Sequence, residues 1–435
     1  MNFKHISLLC LSLITLQQAF CQEVIKTYYD EEQNHLKELY KEVEGVIEGP
    51  YQLYYEDGSV QTSGSFRNGE KEGLFVYYYP SSQDTLKTVF FKANKRQGPS
   101  LSYSEKGSLI QRANFENDLL HGKMTTYFEN GDIKMETTFV SNVPSGENIQ
   151  YYPNGEPMTV SHYQNGILEG PFKTFYEDGT LKSLENYSSG KLEGSVSAYY
   201  PNGQIKEQSF YSNGLKDGEY LHYHENGKIA QKGIFKKGKP DGVFKSYYDQ
   251  GSQKEVAEYK KGTPVNVQTL YYPSGQKSEL ITYNKDGLVE RHSFYHSNGQ
   301  LLKEIHFIAG LPDGTVTIFD QAGRIQETIP YQMGKWNGTY KRYGEKGQLL
   351  LERNFRNGKK HGEEKEYYDN GVLKSLKTFD QDWQTGPYNR YDKNGSLVQE
   401  GNYWFNKKKG EWKYYDQEET LIKTEFYSKE GKLVE

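Results

Sequence analysis

Glycine recurs every 24 residues along most of this chain. Gly107, Gly131, Gly155, Gly179, Gly203, Gly227, Gly251, Gly275, Gly299, Gly323, Gly347, Gly371 and Gly395 keep the spacing without a slip. Gly58 precedes them by 49 residues, two repeats plus one, and the extra residue falls in the stretch 80–84. Glu419 takes the next place after Gly395, which gives about 16 repeats. Such a period means that one supersecondary motif is stacked on copies of itself, each too small to bury its apolar face alone. That excludes the three separate domains that 435 residues would otherwise suggest.

Each repeat has the same grammar. The first-turn glycine mostly follows Asn or Asp, as at Asn130-Gly131 and Asp178-Gly179, dipeptides that supply positive φ in tight turns. Four residues earlier stands an aromatic, for example Tyr199, Tyr223 and Tyr247. Two residues later the position is mostly aliphatic, as at Leu181 and Ile229. Eight residues later it is always aromatic, as at Tyr163, Tyr187, Tyr211 and Phe235. Eleven residues after the glycine comes a second turn, holding Gly, Asn or Asp everywhere except at Glu430. Those three types tolerate the left-handed region, so the restriction reports backbone geometry and needs no ligand. Four residues further on stands nearly always another glycine, such as Gly170 or Gly242, and where Asn266 and Glu290 replace it the repeats are expected to be looser.

Two turns leave two strands of about six residues per repeat, hence a β-hairpin with one partly apolar face. The expected fold class is all-β, an elongated single array of stacked hairpins. A further position, seven before the turn glycine, is often apolar (Phe172, Val196, Tyr220, Phe244, Tyr340, Trp412). Its parity opposes that of the aromatic four before. Either a bulge intervenes or both faces carry aromatics.

The grammar explains a composition of 39 Tyr and 44 Gly with only 34% hydrophobic residues. Aromatics take the packing role that aliphatics fill in a globular core. The net charge of −5 offers neither the basic stripe of a nucleic-acid binder nor attraction to anionic membranes.

Residues 1–21 read as a signal peptide. Lys4 and His5 precede an apolar run from Ile6 to Leu16, and Ala19-Phe20-Cys21 fits a cleavage site that leaves Gln22 as the mature N-terminus. Export to the periplasm, the cell surface or the medium is the expectation. Phe20 departs from the small residue that precedes a lipoprotein cysteine, so membrane association is expected only if Cys21 carries a lipid anchor. Cys10 lies in the same leader, and the mature chain would have no disulfide, thiolate ligand or cysteine nucleophile. Residues 22–49 read as a worn capping repeat. Leu36, Gly45 and Gly49 keep the register, while Asn34 replaces the turn glycine and Glu42 the aromatic. The spacing of Leu36, Leu39, Tyr40 and Val43 fits a short helix over 31–43. Residues 50–435 form the array.

The string Phe355-Arg356-Asn357-Gly358 through His361-Gly362, followed by Tyr367-Tyr368-Asp369-Asn370-Gly371, resembles the MORN repeat in its bacterial variant form. The resemblance covers roughly residues 45–435. It implies an extended antiparallel sheet that acts as a scaffold, and many such proteins carry an antitoxin label. Tyr391-Asp392 through Gly395 is also similar to YD-type repeats, and the paired-tyrosine turns to choline- or glucan-binding repeats. Those place Trp in the pocket, whereas Trp336, Trp383, Trp404 and Trp412 share no repeat position. The spacing after the aromatic favours MORN.

Catalytic constellations are not evident. His222 and His224 sit one residue apart on a predicted strand, and His292 and His296 flank another, but neither pair has a third metal ligand. Acidic turns such as Glu56-Asp57-Gly58 and Glu177-Asp178-Gly179 lack the alternating oxygens of a calcium loop. No phosphate-binding loop, nucleophile elbow or zinc-protease motif is present. No cofactor and no enzymatic activity are expected. The aromatic ladder of Tyr163, Tyr187, Tyr211 and Phe235 with Tyr199, Tyr223 and Tyr247 is the binding candidate, although packing alone would explain it. The expected function is a non-catalytic exported scaffold for a protein partner or envelope component. A polysaccharide-binding module and an immunity or antitoxin protein are the alternatives.

Overall fold

The structure, a computed structural model, describes residues 22–434, so the leader, Cys10 and Cys21 lie outside the described residues. The described residues form 41 strands and no helix. Two compact bodies divide the chain, one ending at Gly194 but also holding Pro201–Gly203, the other holding Ser195–Tyr200 and everything from Gln204. Within each body the strands pair antiparallel with their neighbours in the chain. This is the all-β array of hairpins that the period predicts.

The two turns are built differently. At the first, Tyr152 N–H donates to Glu156 O (2.8 Å) and Gly155 N–H donates to Tyr152 O (3.0 Å). Only Gly155 is left-handed (φ 87°), and Asn154 Oδ1 accepts from Glu156 N–H at 3.0 Å. Asn is favoured before this glycine for that side-chain bond, and only the glycine supplies positive φ. At the second turn both central residues are left-handed, as at Asn165 (φ 51°) and Gly166 (φ 79°), the geometry that matches the twist of a two-residue hairpin. Gly166 N–H also donates to Pro144 O of the preceding repeat (2.8 Å). Where Asn or Asp replaces this glycine in the turn, as at Asn94, Asp118, Asn142, Asp382 and Asn406, its carboxyl or amide oxygen accepts from the preceding repeat as well. Asn142 Oδ1 takes Leu120 N–H at 2.6 Å, and Asp118 Oδ1 takes Arg96 N–H at 2.8 Å. The restriction to three residue types therefore reflects stacking between repeats in addition to left-handed tolerance.

Two positions depart from the expected register. Asp286 and Glu430 are not left-handed, and the glycine one residue later, Gly287 or Gly431, takes the turn in each case. Asn266 keeps the left-handed conformation of the third glycine (φ 58°), whereas Glu290 sits in the continuous strand Val289–Tyr295. The third glycine elsewhere makes a bulge. Tyr163 pairs with Leu168 and Val160 with Lys173, so two residues around Gly170 are extra on their strand, while Glu169 N–H still donates to His162 O at 2.9 Å.

The helix fitted to 31–43 is a correction. Leu36–Val43 is a strand paired on one side with Gln22–Tyr28 and on the other with Val46–Tyr54. Asp30 closes its turn by accepting from Asn34 N–H (2.9 Å) and His35 N–H (2.8 Å). Alternation puts Glu38 and Tyr40 on one face, where Glu38 accepts from Tyr51 Oη–H and Thr27 Oγ1–H. A helix this short has little stability of its own, and two ready strand neighbours outcompete it.

A bulge and two aromatic faces coexist. The register slips at the residue four before the turn glycine, for instance between Ser246 and Tyr247. The residue seven before faces the other way, onto a packed face shared with the aromatics eight after. Tyr220, Phe235, Phe244 and Tyr259 stack edge to face there at 5.4–5.5 Å, and Tyr51, Phe66, Phe75 and Phe91 at 5.1–5.7 Å. Phe75 is fully buried in this row. Its ring fits because the residue beside it in the previous repeat is Gly64. A Cβ on Gly64 would stand 2.5 Å from the ring, and Gly233 makes the same room for Phe244. Smaller rings or side chains face larger residues elsewhere along the same face, where Ala113 and Ala257 are buried.

Candidate functional site

The predicted ladder divides between the two faces. Tyr163, Tyr187 and Phe235 pair with Gly146, Gly170 and Gly218, on the packed face. Tyr211 pairs with Lys216 on the same row, and Phe172 meets Tyr187 at 6.0 Å. Tyr223 and Tyr247 lie beyond the register slip on the opposite face, where Tyr223 Oη–H donates to Gln208 Oε1 at 3.4 Å. Tyr199 holds the same repeat position as Tyr223 and Tyr247, and all seven residues are half-buried. Within the second body, Tyr211 and Phe235 therefore face away from Tyr223 and Tyr247.

A second ladder emerges that the sequence reading passed over. The residue three before the turn glycine sends its side chain to the next repeat. Tyr152 Oη–H donates to Phe175 O (2.9 Å), Tyr248 to Tyr271 O (2.8 Å), Tyr272 to Tyr295 O (2.7 Å) and Tyr368 to Tyr391 O (3.0 Å). A lysine three after the glycine covers the ring, as Lys254 does over Tyr248 at 5.8 Å. His224 and His296 are members of this ladder. Their Nε2 atoms meet Tyr247 O (3.0 Å) and Phe319 O (2.9 Å), and a carbonyl only accepts, so Nε2 carries the proton. The paired tyrosines of the turns were the signal for this role.

The two remaining paired histidines differ. His292 Nε2–H donates to Glu279 Oε2 at 2.8 Å, and its ring stacks on Phe294. His222 is half-buried with its Nδ1 enclosed and unbonded, and burial lowers its pKa from the ordinary 6.5. Among the described residues no group of three or more His, Cys, Asp or Glu side chains is placed to hold a metal. The acidic turn at Asp57 is held by Ser59 and Ser81, whose hydrogen bonds bring its carboxyl to about 2.

The open face carries the row between the aromatics. Leu74 pairs with Phe90 there, and both are exposed, as are Phe210, Ile234 and Val243 along equivalent positions. The first-turn glycines lie at the ends of the hairpins. Gly58, Gly107, Gly131, Gly155, Gly179, Gly203, Gly227, Gly251, Gly275, Gly299, Gly323, Gly347, Gly371 and Gly395 are all left-handed, in keeping with a structural role.

One cluster breaks the repeat. Trp383, Trp404 and Phe405 are 48%, 48% and 51% exposed, and their rings touch, with Phe405 5.0 Å from Trp404 and 5.9 Å from Trp383. Repeats elsewhere place Arg67, Lys92 or Glu116 where Trp404 stands. Phe405 occupies a left-handed turn position (φ 46°) that a bulky aromatic normally avoids. Trp404 also walls an open groove of about 760 Å³ with Asn389, Glu400, Asn402, Glu411 and Lys413. Reading each tryptophan by its own repeat position hid this meeting of three rings.

A chain of hairpins with one packed and one open face defines a repeat scaffold for binding. The MORN repeat variant matches at residues 47–68, 120–141, 144–165, 168–189, 192–213, 216–237, 291–309, 336–357, 360–381 and 384–404, and the chain belongs to this family. No curated protein matches it. Solved structures titled TcdB2-TccC3-Cdc42 and TcdB2-TccC3 each align at 10% identity over 92% of this chain and 29% of theirs, with a TM-score of 0.14. One titled TcdB2-TccC3-TEV aligns at 11% identity over 92% of this chain and 24% of its own, with a TM-score of 0.15. The chain thus spans less than a third of those chains, and likeness at that level carries no argument.

Proposed function

We propose that this chain is an exported, non-catalytic scaffold whose open face binds a protein partner or another component of the cell envelope. One observation carries the reading: stacking consumes the packed face, while the open face keeps exposed apolar pairs such as Leu74 with Phe90. Exposed apolar patches of this kind mark interaction surfaces on soluble proteins. The leader at residues 1–21 supports export, and a mature N-terminus at Gln22 is the expected product.

The test is crosslinking in the native cell followed by purification of the full chain. A reproducible protein partner is expected, and Leu74→Asp combined with Phe90→Lys should abolish its recovery while circular dichroism is unchanged. No partner in the envelope or medium fractions, or one indifferent to those substitutions, would overturn the reading. Mass spectrometry of the secreted form tests the cleavage site separately.

A further inference from the structure

We infer that the groove beside Trp404 binds a neutral saccharide chain, with Trp383, Trp404 and Phe405 as its stacking platform. A pyranose ring has an apolar face of C–H bonds and a rim of hydroxyls that both donate and accept. The groove offers both halves of that pattern side by side. Trp404 lines it, and the exposed rings of Phe405 and then Trp383 continue the apolar surface outward from that indole. Its walls carry amides that donate and accept (Asn389, Asn402), carboxylates that accept (Glu400, Glu411) and an ammonium that donates (Lys413). At about 760 Å³ it lies within the range of small-ligand sites.

The groups are already oriented. Glu400 Oε1 accepts from Tyr415 Oη–H at 2.7 Å, and Lys409 Nζ stands 4.7 Å over the indole of Trp404. Glu411 and Lys413 pair at 3.3 Å, which leaves little net charge in the groove. That balance selects a neutral ligand. A quaternary ammonium would meet the Lys409 ammonium on the same indole, and a phosphate would meet Glu400 and Glu411. A peptide that binds by adding a strand would need a free strand edge. Trp383–Tyr391, Leu397–Trp404 and Lys407–Tyr415 are each paired on both sides, so none is available here.

Three aromatics in water, one of them in a strained turn, are also costly to solubility and local stability. Asn, the residue used at the equivalent Asn68 and Asn165, would relieve the strain. The inference stands apart from the protein-binding reading, which concerns the row at Leu74 and Phe90, and either fails without the other.

The experiment uses the full mature chain on a glycan array of neutral and charged wall, plant and fungal saccharides. The best neutral hexasaccharide is then titrated while tryptophan emission is followed. Binding with an emission change is expected. Trp404→Ala should weaken it at least about tenfold, roughly 1.4 kcal/mol at 25 °C. Phe405→Asn should weaken it while the melting temperature holds or rises, which separates binding from folding. An array with no saccharide hit overturns the inference. So does a preference for charged glycans, a hit indifferent to both substitutions, or capture of a protein through these rings with no saccharide competing.

Discussion

Trp412 is fully buried because Gly401 has no side chain. The indole lies over the glycine backbone, where a Cβ would overlap it, and its Nε1–H donates to Asn402 O at 3.2 Å. Tyr403 and Tyr388 stack against the same indole at 5.0 and 5.5 Å. Gly401→Ala should therefore be costly although its φ is not left-handed. Overpacking of this kind typically costs about 1–3 kcal/mol. Adding Trp412→Met, by analogy with Met124 beside Ala113, should recover much of the loss. A double-mutant cycle read by local hydrogen exchange checks this, and additive losses would contradict the pairing.

The tyrosine hydrogen bonds between repeats make a second prediction. Tyr248→Phe removes the bond to Tyr271 O and leaves the carbonyl without that donor. A loss of about 0.5–1.5 kcal/mol is expected. His224→Tyr should cost little, because Tyr holds the same place at Tyr200 and Tyr248 and makes the same contact. Denaturant titration of the three proteins checks both statements, and a large penalty for His224→Tyr would show that the histidine has a role of its own.

His222 gives the pH dependence. Burial lowers its folded pKa below 6.5, so the unfolded chain binds the proton more readily. The contribution to stability is fully present above about pH 6.5 and is lost as pH falls toward the folded value. His222→Leu, matching Leu53 and Leu270 at the same repeat position, should flatten the change in melting temperature between about pH 7.5 and 5.5. An unchanged slope would remove His222 from the acid response.

Much of this architecture is legible in the sequence, because every first-turn glycine, each aromatic eight residues on and all second turns but those at Asp286 and Glu430 obey a rule visible in one column of the repeat. What the columns hide are relations between them. Gly401 and Trp412 look like unrelated departures until the structure sets them side by side. The first of the two central residues of the second turn is left-handed too, yet Lys237, Met333 and Phe405 occupy it, so its composition gives no warning. The helical spacing at Leu36–Val43 misled for a different reason: strand neighbours on both sides decide the matter, and periodicity does not report neighbours. Trp383, Trp404 and Phe405 meet only because adjacent hairpins bring successive second turns to one edge.

The last prediction concerns a charged version of the same packing. Arg353 stands where Gly64 and Gly233 stand in their repeats, and Glu364 where Phe75 and Phe244 do. Glu364 is buried, bonded to Arg353 Nε and to Lys377 Nζ at 3.2 Å, and Lys377 also reaches Glu366 at 3.0 Å. Burial opposes the charge on Lys377, yet hydrogen bonds and the charges of Glu366 and Glu364 raise its pKa. Glu364→Ala removes the anion from between two cations, and breaking a buried pair in this way typically costs about 3–5 kcal/mol. Arg353→Gly with Glu364→Phe instead restores the Gly–Phe arrangement of the other repeats and leaves Lys377 its bond to Glu366. That double variant should lie much closer to the wild type than Glu364→Ala does, since apolar replacement of a buried ion pair is often neutral or stabilising. Chemical denaturation of both variants decides it: equal losses would mean that the ion network, not the space it fills, holds these repeats together.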